Sequence, residues 1–119
     1  MDFPNALLNR TAVKFSISIK DEDHSYHDDF PEAEQIKWVE EQIEDGNEWG
    51  WCSVKVTARL EGYGIEEYDY LGSCSYKNEA DFKAGGYYEQ MEEAAFLNLN
   101  EKVSRMLSHV QNLSHEFNG

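Results

Sequence analysis

The sequence predicts an α+β fold: a two-layer sandwich in which a three-stranded sheet carries two helices on one face, in the order β-α-β-β-α. Three observations predict it. Residues 11–20 and 49–60 alternate apolar and polar side chains with the period of two that a half-buried strand requires. Residues 66–76 are dense in aromatic side chains and follow a loop bracketed by Gly62 and Gly64, which marks the second arm of a hairpin. Two other segments, one after Pro31 and one after Gly86, repeat apolar residues at spacings of three and four, as amphipathic helices do.

In chain order, residues 1–10 read as a short lead-in, with Pro4 opposing regular structure. In the first strand Val13, Phe15, Ile17 and Ile19 face inward, and Lys14, Ser16, Ser18 and Lys20 face outward. An acidic loop follows and ends at Pro31, which suits a first helical turn, with Asp28 or Asp29 as a cap. The helix over residues 31–45 presents Ala33, Ile36, Val39 and Ile43 as one apolar stripe, and stops near Gly46 and Asn47. Its outward face carries Glu34, Trp38, Glu41 and Asp45.

The hairpin of residues 48–76 is the centre of the fold. Cys52, Val54, Val56, Ala58 and Leu60 share the core parity; Trp49, Trp51, Ser53, Lys55, Thr57 and Arg59 share the other. In the return strand Tyr68, Tyr70, Cys74 and Tyr76 share a parity, and both faces remain candidates for burial. Gly72 in mid-strand marks a bulge or a close backbone approach. Asn78 caps a single turn through Phe82, and Gly85-Gly86 breaks it. The last helix starts near Tyr87, and its stripe (Tyr88, Met91, Ala95, Leu99, Val103, Met106, Val110, Leu113, Phe117) outreaches a small sheet. Its far end is expected to bend, fray or pack on another copy of the chain. The sheet is expected to be antiparallel or mixed; a parallel pairing of the first two strands would make the crossover right-handed.

Length and composition fit one domain over residues 1–119, and 16 aromatic residues oppose disorder despite the charge. The net charge of −14 repels nucleic acid and suits a basic partner surface. No apolar run reaches membrane-spanning length and the amino terminus has no export pattern, so a cytoplasmic protein without membrane contact is expected. Cys52 and Cys74 are expected to be free, buried thiols, able to face one another across the hairpin. No nucleophile, acid–base or phosphate-loop pattern has supporting context, so neither an enzyme nor a cofactor is expected. Residues 21–32 place acids and His27 at calcium-loop spacings. Tyr26 stands where that loop requires glycine, so no metal is assigned and an exposed, mobile loop is expected.

The runs WGWCSVKVTARLEG, YLGSCSY, NEADF and GGYY, with a helix containing LNLNEKV, resemble small uncharacterised acidic proteins of tailed bacteriophages and prophages. The resemblance covers residues 49–103 and implies a phage accessory protein acting inside a bacterium. Many such proteins blunt host defence.

The charge is concentrated. Residues 21–48 hold twelve acids against Lys37 alone, so this stretch supplies most of the chain's −14. Nucleic acid is bound through Lys and Arg, and a rigid acidic helix can occupy the same basic groove. The expected function is therefore inhibition of a nucleic-acid-handling host defence protein, of anti-restriction or anti-CRISPR type, by nucleic-acid mimicry. The expected contact residues are Glu34, Trp38, Glu41, Asp45, Trp49 and Trp51. The alternative is a non-enzymatic interaction module whose contact surface is the other sheet face, with Trp49, Trp51, Lys55, Arg59 and several tyrosines, used for self-assembly or a phage structural partner. A homodimer through that face or the last helix is a further expectation.

Overall fold

The computed structural model describes the backbone of residues 8–118 and the side chains of residues 8–113; residues 1–7 of the expected lead-in over residues 1–10 lie outside them. Asn9 accepts from the Thr11 N–H and caps a 3-10 turn, Arg10–Ala12, which delivers the chain into β1, Val13–Asp21. Then come α1 (Tyr26–Asp29), α2 (Ala33–Glu44), a second 3-10 turn (Glu48–Gly50), β2 (Cys52–Leu60), β3 (Ile65–Cys74), α3 (Glu79–Ala84) and α4 (Tyr87–Asn118). The class is α+β, as expected, with the one-turn α1 and the short α3 added to the two long helices.

The sheet is antiparallel throughout, in the order β1-β2-β3, so the chain returns from β1 without a parallel crossover. Val13 pairs with Leu60 and Asp21 with Cys52, in unbroken register. The β2–β3 ladder slips by one residue between Cys52 and Val54, because β3 holds an extra residue between their partners Cys74 and Leu71. Gly72 and Ser73 form this bulge, and Ser73 takes a φ of 56°, unusual for a residue with a side chain. The bulge explains why β3 resists a single-parity reading: Tyr68 and Tyr70 point to open solvent, whereas Cys74, of the same parity, is buried.

The core lies on the face carrying Val54, Val56 and Ala58, all fully buried. The first half of α4 covers it. Met91, Ala95, Phe96 and Leu99 pack against the sheet, and each large apolar side chain so buried contributes about 1.5–3 kcal/mol. Phe82 of α3 closes one end, against Trp49 and Tyr76. Asn98 Nδ2 donates to the Tyr68 carbonyl and Lys102 Nζ to the Glu66 carbonyl, fastening α4 to β3.

α2 sits at the head of β2, against the Glu48–Gly50 turn, rather than along the strands. No side chain caps its start: Glu32 is the N-cap, in place of the expected Asp28 or Asp29. Asp28 and Asp29 belong instead to α1, which Ser25 caps. The end of α2 is as expected. Gly46 has a φ of 79°, and the N–H groups of Gly46 and Asn47 return to the carbonyls of Ile43 and Gln42, satisfying the last turn. Only part of the predicted stripe is buried. Val39 is 1% exposed and Ile36 half-buried, but Ala33 is exposed and Ile43 is 47% exposed. The helix is turned so that Gln42 lies over Gly50, where even a Cβ would come within 2.6 Å of the Gln42 Cβ.

Candidate functional site: an acidic surface at one end of the sheet

The acidic surface is built from the residues between the end of β1 and the start of β2. The Ser25 hydroxyl accepts from the His27 N–H and starts α1, so residues expected to form a mobile loop make a defined turn. Tyr26 and Phe30, four apart, then place their rings against Trp51, at 6.0 and 5.9 Å between centroids. This aromatic seat anchors the acidic segment to the sheet. Asp23, Asp28, Asp29, Glu32, Glu34, Glu41, Glu44, Asp45 and Glu48 are all exposed.

The partners of these carboxylates set the segment apart. Every ion pair made by a Lys or Arg among the described residues uses an acid outside residues 21–48: Glu61, Glu67, Glu79, Glu92, Glu93 and Glu101. Within the segment the only ion-pair geometries are with histidines, His24 to Asp29 at 3.2 Å and His27 to Glu40 at 3.7 Å. Among the described residues, none of the segment's carboxylates is thus ion-paired to a permanent cation, and Lys37 is the only Lys or Arg within it. Tyr26 registers the segment's charge: burial first, then the nearby Glu40 and Glu44 carboxylates, push its phenol above the ordinary tyrosine range.

Of the predicted contact residues, the structure gathers Glu34, Glu41 and Asp45 as exposed side chains on α2, with Trp38 half-buried among them. The two other tryptophans require correction. Trp51 is only 8% exposed, and its Nε1 donates to the His24 carbonyl at 2.7 Å; it is the seat of the acidic segment, not a contact surface. Trp49 lies in the 3-10 turn, where strand alternation does not apply, and turns half-buried to the opposite side, 5.6 Å from Phe82. The two rings therefore do not share a solvated face.

That open face has a different composition. Ser18, Lys20, Ser53, Lys55, Tyr68 and Tyr70 line a concavity of about 280 Å³. Lys55 Nζ stands 4.4 Å from the Tyr68 ring centre and Lys20 Nζ 6.0 Å from that of Tyr70, while neither lysine meets a carboxylate among the described residues. The Ser53 hydroxyl is buried there without a hydrogen-bond partner. Lys20, Ser53 and Lys55 all take outward parities in the sequence, but of these only Lys55 is expected in the contact patch. The signal was available, since antiparallel pairing of the two alternating strands sets Lys20 opposite Ser53.

The thiols of Cys52 and Cys74 are free, buried and directly opposed across β2 and β3. Burial raises that of Cys52 to about 12 and that of Cys74 to about 11, the opposite of the activation that a nucleophile needs. No group of three or more His, Cys, Asp or Glu side chains is gathered to hold a metal ion among the described residues. Among them, too, no helix is long and apolar enough to cross a membrane. Compared with protein-family models, curated proteins and solved structures, the chain matches none.

Proposed function

We propose that this protein is a phage-encoded accessory protein that acts in the bacterial cytoplasm. It binds the basic surface of a nucleic-acid-handling host defence protein through residues 21–48, and excludes nucleic acid from it. The observation that carries this reading is the distribution of ion pairs among the described residues: Lys and Arg neutralise acids elsewhere, while of the twelve acids in this segment only Asp29 and Glu40 are ion-paired, each to a histidine. Like charges held together in a folded protein repel one another, and a basic partner relieves that repulsion on binding. The fixed backbone of α2 presents its carboxylates at defined positions, as a phosphate backbone does, and half-buried Trp38 supplies an aromatic anchor among them. Immobilised protein exposed to bacterial lysate should retain a nucleic-acid-binding enzyme that duplex DNA or moderate salt releases. The triple variant E34Q/E41Q/D45N should retain much less. Equal retention by the triple variant would sink the proposal.

A second reading places the contact on the open sheet face, supported by the lysine–tyrosine concavity and the partnerless Ser53 hydroxyl. Recovery of virion proteins, lost on K20E/K55E and indifferent to the triple variant, would favour it.

A further inference from the structure

α4 is longer than the sheet it covers. Its 32 residues span about 48 Å at 1.5 Å per residue, whereas the nine-residue β2 spans about 30 Å. The molecule is accordingly 67 Å long and only 26 by 21 Å across. The helix leaves the sheet at the end where Leu60 pairs with Ile65; its last fastenings there are Lys102 to Glu67, at 3.3 Å, and half-buried Val103. Arg105, one turn on, pairs among the described residues only with Glu101 of its own helix.

The apolar stripe does not stop with the sheet. Met91, Ala95 and Leu99 are 4%, 0% and 0% exposed; Met106, Val110 and Leu113, continuing the same line, are 45%, 59% and 40% exposed. From Leu99 onward the spacing is four, three, four, three, four, ending at Phe117, which is the repeat of a two-helix seam. A bare helical segment of this length is marginal in water unless its apolar side is covered.

We infer that the projecting half of α4 pairs antiparallel with the same segment of a second copy. Two observations select that occupant. Residues 101–118 carry two acids, Glu101 and Glu116, against Lys102 and Arg105, so this segment is balanced within a chain of net −14 and two copies of it do not repel. The acidic segment lies at the opposite end of the sheet, where Asp21 pairs with Cys52. An antiparallel overlap keeps the two acidic surfaces far apart relative to a screening length of about 8 Å at physiological salt; a parallel overlap sets them side by side. The dimer then carries two acidic surfaces facing away from each other.

Sedimentation of the full chain should give twice the chain mass at micromolar concentration. M106E/V110E should give the single-chain mass while keeping the cooperative melt of the sheet and the half of α4 that covers it, because both side chains are exposed in the isolated fold. With Val110 at the centre of the overlap, V110C should cross-link to itself on oxidation. M106C should not do so alone, but should cross-link when mixed with L113C. Cys52 and Cys74 are too buried to interfere. A single-chain mass up to high micromolar concentration overturns the inference, as does a dimer that survives M106E/V110E. Self-cross-linking of M106C overturns the antiparallel arrangement.

Discussion

Two pairs of residues carry the sharpest tests of how this chain folds. Val54 and Val56 are fully buried, so Val54→Asp or Val56→Asp would bury an unpaired carboxylate. Each should cost more than about 4 kcal/mol and abolish the cooperative melt followed by circular dichroism. An unchanged melting temperature in both variants would mean that the strand phase is wrong. Cys52 and Cys74 make a prediction about pH. Their folded values, about 12 and about 11, lie above the ordinary thiol value, so the folded state holds these protons more tightly than the unfolded chain does. Their contribution to stability is therefore complete below about pH 8.5, the unfolded thiol value, and is lost as pH rises toward 11–12. Cys52→Ala/Cys74→Ala should flatten that alkaline decline in denaturant titrations. Both thiols should resist alkylation at pH 8 until denaturant is added.

At the scale of elements, α2 meets the Glu48–Gly50 turn in a close approach. Gly50→Ala places a Cβ within 2.6 Å of the Gln42 Cβ, an atom that cannot swing aside without moving the helix. The expected cost is about 1–3 kcal/mol, with the emission of Trp38 and Trp51 shifting as α2 lifts. A neutral substitution would show that α2 is seated otherwise. Gly50 also shows where sequence reading stopped. The strands were legible because alternation is imposed by the pleat itself, and β1 follows it from Val13 to Lys20. The hairpin glycines were legible for a similar reason: Gly62 and Gly64 take φ values of 86° and 69°. Two things were not legible. Extending strand parity backward from Cys52 put Trp49 and Trp51 on one face, but the chain enters β2 through a 3-10 turn that rotates Trp49 to the other side. The rotation of α2 was hidden too, because a helix docked on a turn buries whatever meets that turn, here Val39 fully and Gln42 in part, and leaves Ala33 and Ile43 of the apolar stripe exposed. Gly72 signalled the bulge, yet only the ladder shows that it carries Cys74 from the parity of the exposed tyrosines into the core.

The whole molecule is polar in the literal sense, with uncompensated carboxylates at one end of the sheet and a charge-balanced apolar helix leaving the other. The charge cluster was legible from residues 21–48 alone. Its lack of Lys or Arg partners was not, because ion pairing depends on which side chains the fold brings together. That lack predicts how the molecule responds to salt. Self-repulsion within the acidic end acts over about 30 Å at 0.01 M salt and about 8 Å at 0.15 M, so added sodium chloride should raise the melting temperature of the parent. E34Q/E41Q/D45N keeps side-chain size and removes three exposed charges, so it should shift stability by no more than about 0.5 kcal/mol and show a smaller salt response. The same variant separates folding from binding. Against a captured basic partner, the parent should weaken steeply between 50 and 200 mM salt, and the triple variant should bind less tightly with a shallower dependence. Trp38→Ala should weaken binding at both salts without altering that slope, since an aromatic anchor acts through burial and not through charge. If the triple variant bound like the parent at both salts, these carboxylates would be a solvated face, and the contact would pass to Lys20, Lys55, Tyr68 and Tyr70 on the open sheet.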